Sequence, residues 1–200
     1  YKRQRVNGDL TDGYRNGRLE YEADVTGAGT LELTLTSPEG KTVGEATCKI
    51  GSGSVKLTLT SPDKNIASVS ARMVNKGTVE LTMDVPDVEK WSAETPALYS
   101  LVTKFTPKNG EAEIIPLKVG FRKVEIKNSQ LLVNGEPILI KGADRHELDP
   151  DGGYVVSMER MMQDIKRLKE LNINAVRTCH YPDDPVSYTH LRAHETVLDL

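Results

Sequence analysis

Two short apolar runs flank an amphipathic helix pattern in the C-terminal third of the chain, and no other stretch limits the fold as narrowly. Residues 138–140 (Ile-Leu-Ile) form the first run, and residues 175–176 (Ala-Val) begin the second. Between them, Ser157 has the position of a helix cap, and apolar residues recur every three or four positions over 158–171. This order predicts a βαβ unit with two parallel strands.

A histidine lies beyond each apolar run. His146 belongs to the polar sequence at 141–147, and His180 follows the second run with Arg177 just before it. In parallel α/β folds, sites form just past the C-terminal ends of the strands. Because neighbouring parallel strands bring these ends side by side, we expect the two histidines to lie close together.

The first half of the chain alternates apolar and polar residues with a period of two, which is typical of half-buried strands. Turn residues such as Ser-Pro-Glu-Gly at 37–40 separate the alternating segments. The predicted strands cover residues 19–25, 31–36, 45–50, 54–60, 78–85, 98–105 and 114–119. About seven short strands within a hundred residues predict an immunoglobulin-like β-sandwich.

Charge and cysteine content limit the classes of partner. The chain has 26 basic and 29 acidic residues, a net charge of −3, so we expect no nucleic-acid or membrane-surface partner. No apolar run approaches the roughly 20 residues of a transmembrane helix. Cys48 and Cys179 fall in different predicted domains, so we expect free thiols, which fits a reducing compartment.

Several sequence words occur together in a fixed order and spacing. They are Asn-Gly-Glu-Pro (134–137), Lys-Gly-Ala-Asp-Arg-His-Glu (141–147), Met-x-x-Asp-Ile-x-x-x-Lys (161–169) and Asn-Ala-Val-Arg-Thr-Cys-His-Tyr-Pro-Asp-Asp-Pro (174–185). Upstream, Trp-Ser-Ala-Glu-Thr-Pro-x-Leu-Tyr (91–99) and Gly-Phe-Arg (120–122) belong to the same set. From about residue 17 to 185, the chain resembles β-galactosidases of glycoside hydrolase family 2.

The resemblance implies a multidomain organisation of β and then α/β type. We expect residues 1–17 to be a linker from a missing N-terminal jelly-roll domain, and residues 18–121 to be the immunoglobulin-like sandwich. Residues 122–185 then begin a (β/α)₈ TIM barrel, which is truncated here because a complete barrel needs about 250 residues. Residues 186–200 depart from the family pattern and are expected to be non-native, which leaves the His190, His194 and Glu195 spacing without a metal assignment.

Family resemblance also implies roles for individual residues. His146 and His180 match the histidines that hold galactose and stabilise the transition state, and Arg177 matches the arginine that positions the nucleophilic carboxylate. Arg145 and Glu147 flank the first histidine and are expected to support its position without contacting the sugar. Asp144 stands where the family usually has Asn and joins that supporting group.

The catalytic carboxylates and the metal ligands of the family lie further along the barrel. We therefore expect no catalytic residue, metal or cofactor within this chain, and no glycosidase activity from it alone. The parent enzyme is expected to use Mg²⁺, with Na⁺ as a second candidate ion, to act on a β-galactoside, and to form a homo-oligomer. The bacterial cytoplasm and periplasm both fit.

Two other functions fit parts of the sequence. One is a sister activity of the same family, β-glucuronidase or β-mannosidase, because sugar choice depends partly on residues outside the chain. The other is a non-catalytic β-sandwich that binds carbohydrate or mediates adhesion. That reading explains residues 18–119 but leaves the βαβ unit with its polar strand ends without a purpose.

Overall fold

The N-terminal part of the protein folds into two antiparallel sheets. The structure is a computed structural model, and it describes residues 3–51, 55–59, 68–75 and 77–180. The strands are β1 (Arg3–Thr11), β2 (Asn16–Asp24), β3 (Gly29–Thr36), β4 (Thr42–Ile50), β5 (Val55–Leu59), β6 (Ser68–Asn75), β7 (Thr78–Val85), β8 (Tyr99–Pro107) and β9 (Glu113–Val119). One sheet has the order β1-β2-β7-β6 and the other the order β5-β4-β3-β8-β9. The predicted sandwich is confirmed.

The alternating residues of both sheets form one continuous core. Leu19, Leu33 and Leu101 are fully buried, while their neighbours along each strand face outward. This pattern follows from the pleat, which turns successive side chains to opposite faces. Trp91 and Phe121 are buried as well, so the single tryptophan has a packing role.

The predicted linker over residues 1–17 is wrong for its described part, which begins at residue 3. Residues 3–11 form β1, which pairs with β2 along its whole length, from Arg3 opposite Asp24 to Thr11 opposite Asn16. The alternation is hidden because Gly8 occupies an inward position between Val6 and Leu10. A Cβ atom at Gly8 would lie 2.6 Å from the carbonyl oxygen of Gly120, so a larger residue does not fit.

A second, smaller part follows the sandwich. Strands β10 (Val124–Lys127), β11 (Gln130–Val133) and β12 (Glu136–Pro137) form an antiparallel sheet. The turn before β12 contains Asn134 and Gly135 with positive φ angles, as the Asn-Gly sequence predicts. Strand β13 (Gly142–Asp144), helix α1 (Met158–Glu170) and strand β14 (Ala175–Arg177) then form the βαβ unit, in which β13 and β14 are parallel.

Helix α1 has the cap that the sequence predicts, but the predicted apolar stripe is buried only in its centre, since Met158 and Leu171 at its ends are 53% and 62% exposed. The Ser157 side chain accepts a hydrogen bond from the backbone N–H of Arg160. On the face toward the strands, Met161 and Ile165 are buried, and Ile165 packs with Val176 of β14. Among the described residues, no helix is long and apolar enough to cross a membrane.

The first strand of the βαβ unit lies later than its apolar run. Strand β13 begins at Gly142, whereas Leu139 and Ile140 are 73% and 49% exposed and belong to no strand. Asn174 explains the shift: its side chain bonds the Leu139 carbonyl and the Lys141 N–H, and its own N–H bonds the Lys141 carbonyl. The ladder with β14 therefore starts only beyond Lys141.

Asn134 ties the two parts of the molecule together. Its side chain donates to the Trp91 carbonyl at 2.9 Å and accepts from the Lys123 N–H at 3.0 Å. The Arg122 guanidinium lies 4.7 Å from the centroid of the Trp91 ring, a cation–π contact. Lys169 of α1 adds a hydrogen bond to the Ala93 carbonyl. The segment around Trp91 is therefore held by both the hairpin and the helix.

Candidate functional site

The two predicted histidines meet at one edge of the βαβ unit. His146 lies two residues beyond β13, and His180 lies three residues beyond β14. Their ring centroids are 5.9 Å apart, with the planes at 60°, and both residues are exposed. Parallel pairing of β13 with β14 produces this arrangement, because it brings the C-terminal ends of both strands to the same side. Each imidazole carries two nitrogens that can take part in hydrogen bonds.

A buried arginine anchors the segment that carries His146. Arg145 is only 8% exposed, and its backbone N–H bonds the Arg177 carbonyl at 2.9 Å. Its guanidinium contacts Glu147 at 3.4 Å and Asp164 of α1 at 3.1 Å. The carboxylate of Glu147 therefore faces the buried arginine. This places Arg145 and Glu147 behind His146, on the side away from solvent.

Asp164 is the member of this cluster that the sequence analysis missed. Its Oδ2 accepts from both Nε and Nη2 of Arg145, and its Oδ1 lies 3.7 Å from Nε of Arg160. The only signal in the sequence is the Asp of the Met-x-x-Asp-Ile word, and this word does not indicate that Arg145 is the residue it contacts. Without the fold, a single carboxylate on a charged helix does not stand out.

The loop between β13 and α1 closes on itself through Asp149. Asp149 and Gly153 exchange two backbone hydrogen bonds, and the Asp149 carboxylate accepts from the N–H groups of Gly152 and Asp151. These donors, Gly152 first, hold the pKa of Asp149 below its usual value. Arg160 lies 3.8 Å from the same carboxylate. The loop is therefore connected to the helix that carries Asp164.

Arg177 and Asp144 face each other across the strand pair. They are partners in the β13–β14 register, and Nη1 of Arg177 lies 3.6 Å from Oδ1 of Asp144. Both side chains are more than half exposed, so solvent weakens this pair. The Arg177 guanidinium is thus available at the same edge as the histidines. Within the described ranges, no group of three or more His, Cys, Asp or Glu residues is arranged to hold a metal ion.

A cavity of about 670 Å³ lies at the other end of the unit. Its lining includes Ile138 and Lys141, which precede β13, and Asn174, which precedes β14, together with Ala93 from the connection between β7 and β8. The cavity is therefore separate from the histidine edge. Its apolar wall includes Leu139 and Ile140, which the strand pair leaves exposed.

Comparisons with known proteins agree on one family. The model described as "Glycosyl hydrolases family 2" matches residues 3–122, and the model described as "Glycosyl hydrolases family 2, TIM barrel domain" matches residues 124–194. A β-galactosidase of Vibrio vulnificus (strain YJ016) is 52% identical over 103 residues, and one of Pseudoalteromonas haloplanktis is 48% identical over 101 residues. Each alignment covers 50% of this chain but only 10% of the relative.

Solved structures share the fold over nearly the whole chain. The β-glucuronidase 3 of Bacteroides uniformis superposes with a TM-score of 0.78 at 20% identity, and a Parabacteroides merdae β-glucuronidase with 0.79 at 16% identity. Both superpositions cover 98% of this chain, and 22% and 23% of those chains, respectively. These superpositions show a shared fold, and the family model that matches residues 3–122 covers more than half of the chain: the chain belongs to glycosyl hydrolases family 2.

Proposed function

We propose that this chain is part of a retaining β-galactosidase, which hydrolyses terminal non-reducing β-D-galactose residues, and that His146 and His180 hold the galactose. The observation that carries the proposal is the pair of imidazoles 5.9 Å apart at the ends of two parallel strands. The β-galactosidase relatives, 48–52% identical over half the chain, support the choice of sugar.

Each residue at this edge has a defined part in the proposal. Retaining glycosidases pass through an oxocarbenium-like transition state between two carboxylates about 5 Å apart. The imidazoles of His146 and His180 donate to sugar hydroxyls, and such hydrogen bonds strengthen as positive charge develops on the ring. Arg177 orients the nucleophilic carboxylate, and Asp144 holds Arg177 from the neighbouring strand.

The proposal assigns neither the acid/base nor the nucleophile to this chain. Glu147, the carboxylate next to His146, is an ion-pair partner of buried Arg145 and is therefore poorly placed to act on a substrate. Mg²⁺ and Na⁺ are expected in the parent enzyme, and the proposal assigns them no residue of this chain. The chain alone is expected to be inactive, and hydrolysis of a chromogenic β-galactoside by the purified 200-residue protein would contradict this.

The alternative functions have less support. Structural neighbours are β-glucuronidases, but at 16–24% identity they show the fold and leave the substrate open. A non-catalytic sandwich module accounts for β1 to β9 but gives no role to the parallel pair β13–β14 or to the histidines beyond it.

A chimera tests the proposal directly. Residues 122–185 of this chain replace the equivalent segment of the Vibrio vulnificus β-galactosidase, and hydrolysis of β-galactosides, β-glucuronides and β-mannosides is compared. We expect preference for the β-galactoside, and a loss of about 10²–10³-fold in kcat for His146→Ala or His180→Ala, because each removes one transition-state donor. Tyr154→Ala, at an exposed position of the β13–α1 loop, is the control. Preference for another sugar, or histidine variants as active as that control, would overturn the proposal.

A further inference from the structure

The direction of the His146 side chain depends on a short segment that belongs to no strand. Residues 145–148 follow β13 directly, and two backbone hydrogen bonds hold them: Arg145 N–H to the Arg177 carbonyl and Leu148 N–H to the His146 carbonyl. Along this segment, Arg145 and Glu147 point inward, whereas His146 points outward. The orientation of His146 therefore depends on what keeps Arg145 inside.

A buried guanidinium stays inside only if its charge is compensated. Removal of one partner from a buried ion pair leaves an unpaired charge, which is strongly unfavourable. Asp164 supplies two of the contacts to Arg145, at 3.1 and 3.3 Å, from a helix that packs against β14 through the adjacent Ile165. Glu147 supplies a longer contact, at 3.4 Å, from within the same segment, so this contact does not fix the segment to the helix.

Both oxygens of Asp164 face cations. Oδ2 accepts from Arg145, and Oδ1 lies 3.7 Å from Arg160. An asparagine at position 164 would therefore turn its NH₂ group toward one of two guanidinium groups, which also carry only donors. Isosteric replacement removes the charge and one acceptor without changing the volume, so it isolates the electrostatic part of the contact.

We propose that Asp164 is a positioning residue that keeps His146 directed toward His180 by holding Arg145 in the interior. Its link to sugar binding rests on the proposed function. The geometric claim does not, because the spacing of the two rings is measurable with no sugar present.

The test compares Asp164→Asn with wild type in the full 200-residue chain by NMR. In wild type, the His146 and His180 rings are expected to show a mutual nuclear Overhauser effect. In Asp164→Asn this effect is lost, and the Arg145 amide exchanges at least about 10-fold faster, since the buried guanidinium has lost its contacts with the helix carboxylate. Glu170→Gln is the matched control, because it removes a carboxylate of α1 that pairs only with exposed Arg167 among the contacts described.

An unchanged ring contact and an unchanged Arg145 amide in Asp164→Asn would overturn the proposal. If that variant instead melts α1, the double variant Arg145→Met with Asp164→Leu restores packing, since apolar pairs replace buried ion pairs without loss of stability. The proposal expects the double variant to fold and to regain the ring contact, because an apolar residue 145 stays in the interior; a folded double variant without the contact would overturn it. A negative result with either variant does not affect the chimera result, so the role of Asp164 and the proposed function are tested separately.

Discussion

The sandwich buries a continuous apolar core that extends from Leu10 to Phe121 and draws on both sheets, whereas the described apolar cluster of the βαβ unit consists of Ile165 and Val176 with Leu168 packed against them. In the βαβ unit, a polar contact, the ion pair of Arg145 with Asp164, joins the segment after β13 to α1. Non-directional burial stabilises the first region, while a few directed contacts shape the second. We therefore expect the sandwich to tolerate surface substitutions, and the candidate site to be sensitive to the loss of individual polar contacts.

The largest expected difference concerns core truncation. Leu33→Ala should lower the free energy of unfolding of the sandwich by about 2–5 kcal/mol, because it removes a fully buried side chain and leaves a cavity. Ile165→Ala should leave the sandwich transition unchanged and increase amide exchange only around α1. Urea unfolding followed by Trp91 fluorescence, together with exchange of the helix amides, measures both. Equal loss of sandwich stability in the two variants would show that the regions unfold as one.

The two cysteines should differ in reactivity, because one lies in the core of the sandwich and the other beyond the strand pair. Cys48 is fully buried in β4, and burial raises the pKa of its thiol to about 11, while Cys179 is partly exposed beyond β14. Since the thiolate is the reactive form, Cys179 should react with a disulfide reagent at least about 100-fold faster than Cys48 in the native protein. Cys179→Ser should remove the fast phase, and Cys48→Ala should leave it. A single shared rate would refute the contrast.

Gly8→Ala tests whether the N-terminal strand belongs to the sandwich. Because the added Cβ would lie 2.6 Å from the Gly120 carbonyl oxygen, the substitution should cost about 1–3 kcal/mol of unfolding free energy. Arg5→Ala, at an exposed position of the same strand, serves as the control and should change stability little. Thermal unfolding of both variants decides the point, and an unaffected Gly8→Ala variant would indicate that β1 is dispensable.

The smallest expected effect is a pH dependence of the sandwich. Hydrogen bonding to Arg18, with Ser68 as a further donor, holds the pKa of Asp84 below its usual value of 3.8, against the opposing effect of burial. The unfolded carboxyl thus binds its proton at higher pH than the folded one. The stabilisation is complete above about pH 4 and is lost as the pH falls through the folded pKa.

Solvent around half-exposed Arg18 should limit the contribution of Asp84 to about 0.5–1 kcal/mol. Asp84→Asn should therefore lower stability by that amount at neutral pH and flatten its fall below pH 4. Glu22→Gln, an exposed carboxylate on β2, is the matched control. Urea unfolding at pH 7 and at a series of values below pH 4 measures the difference, which should shrink as the pH falls.

Predictions from the sequence agree with the structure where a periodic pattern of apolar residues determines the local structure. The alternation around Leu19 and Leu33 and the stripe of α1 correspond to observed elements, and the parallel order of the βαβ unit brought His146 and His180 together as predicted. The family words added the assignment that pattern alone did not provide.

The misses share a different cause, namely contacts between residues far apart in the chain. Gly8 hid β1 because the Gly120 backbone fills the space of its missing side chain. Asn174 delayed β13 by occupying the backbone groups of Leu139 and Lys141. The role of Asp164 becomes evident only from its ion pair with Arg145. Each needs the tertiary structure, because nothing in the neighbouring residues specifies the partner.

The Asn134 side chain has a mechanical consequence. By bonding the Trp91 carbonyl and the Lys123 N–H together, it bridges the last loops of the sandwich and the entry hairpin, while Lys169 fastens the same loop to α1. These hydrogen bonds should restrict hinge motion between the two regions. Rocking of the sandwich should therefore be transmitted as rotation of the strand pair that carries the histidines.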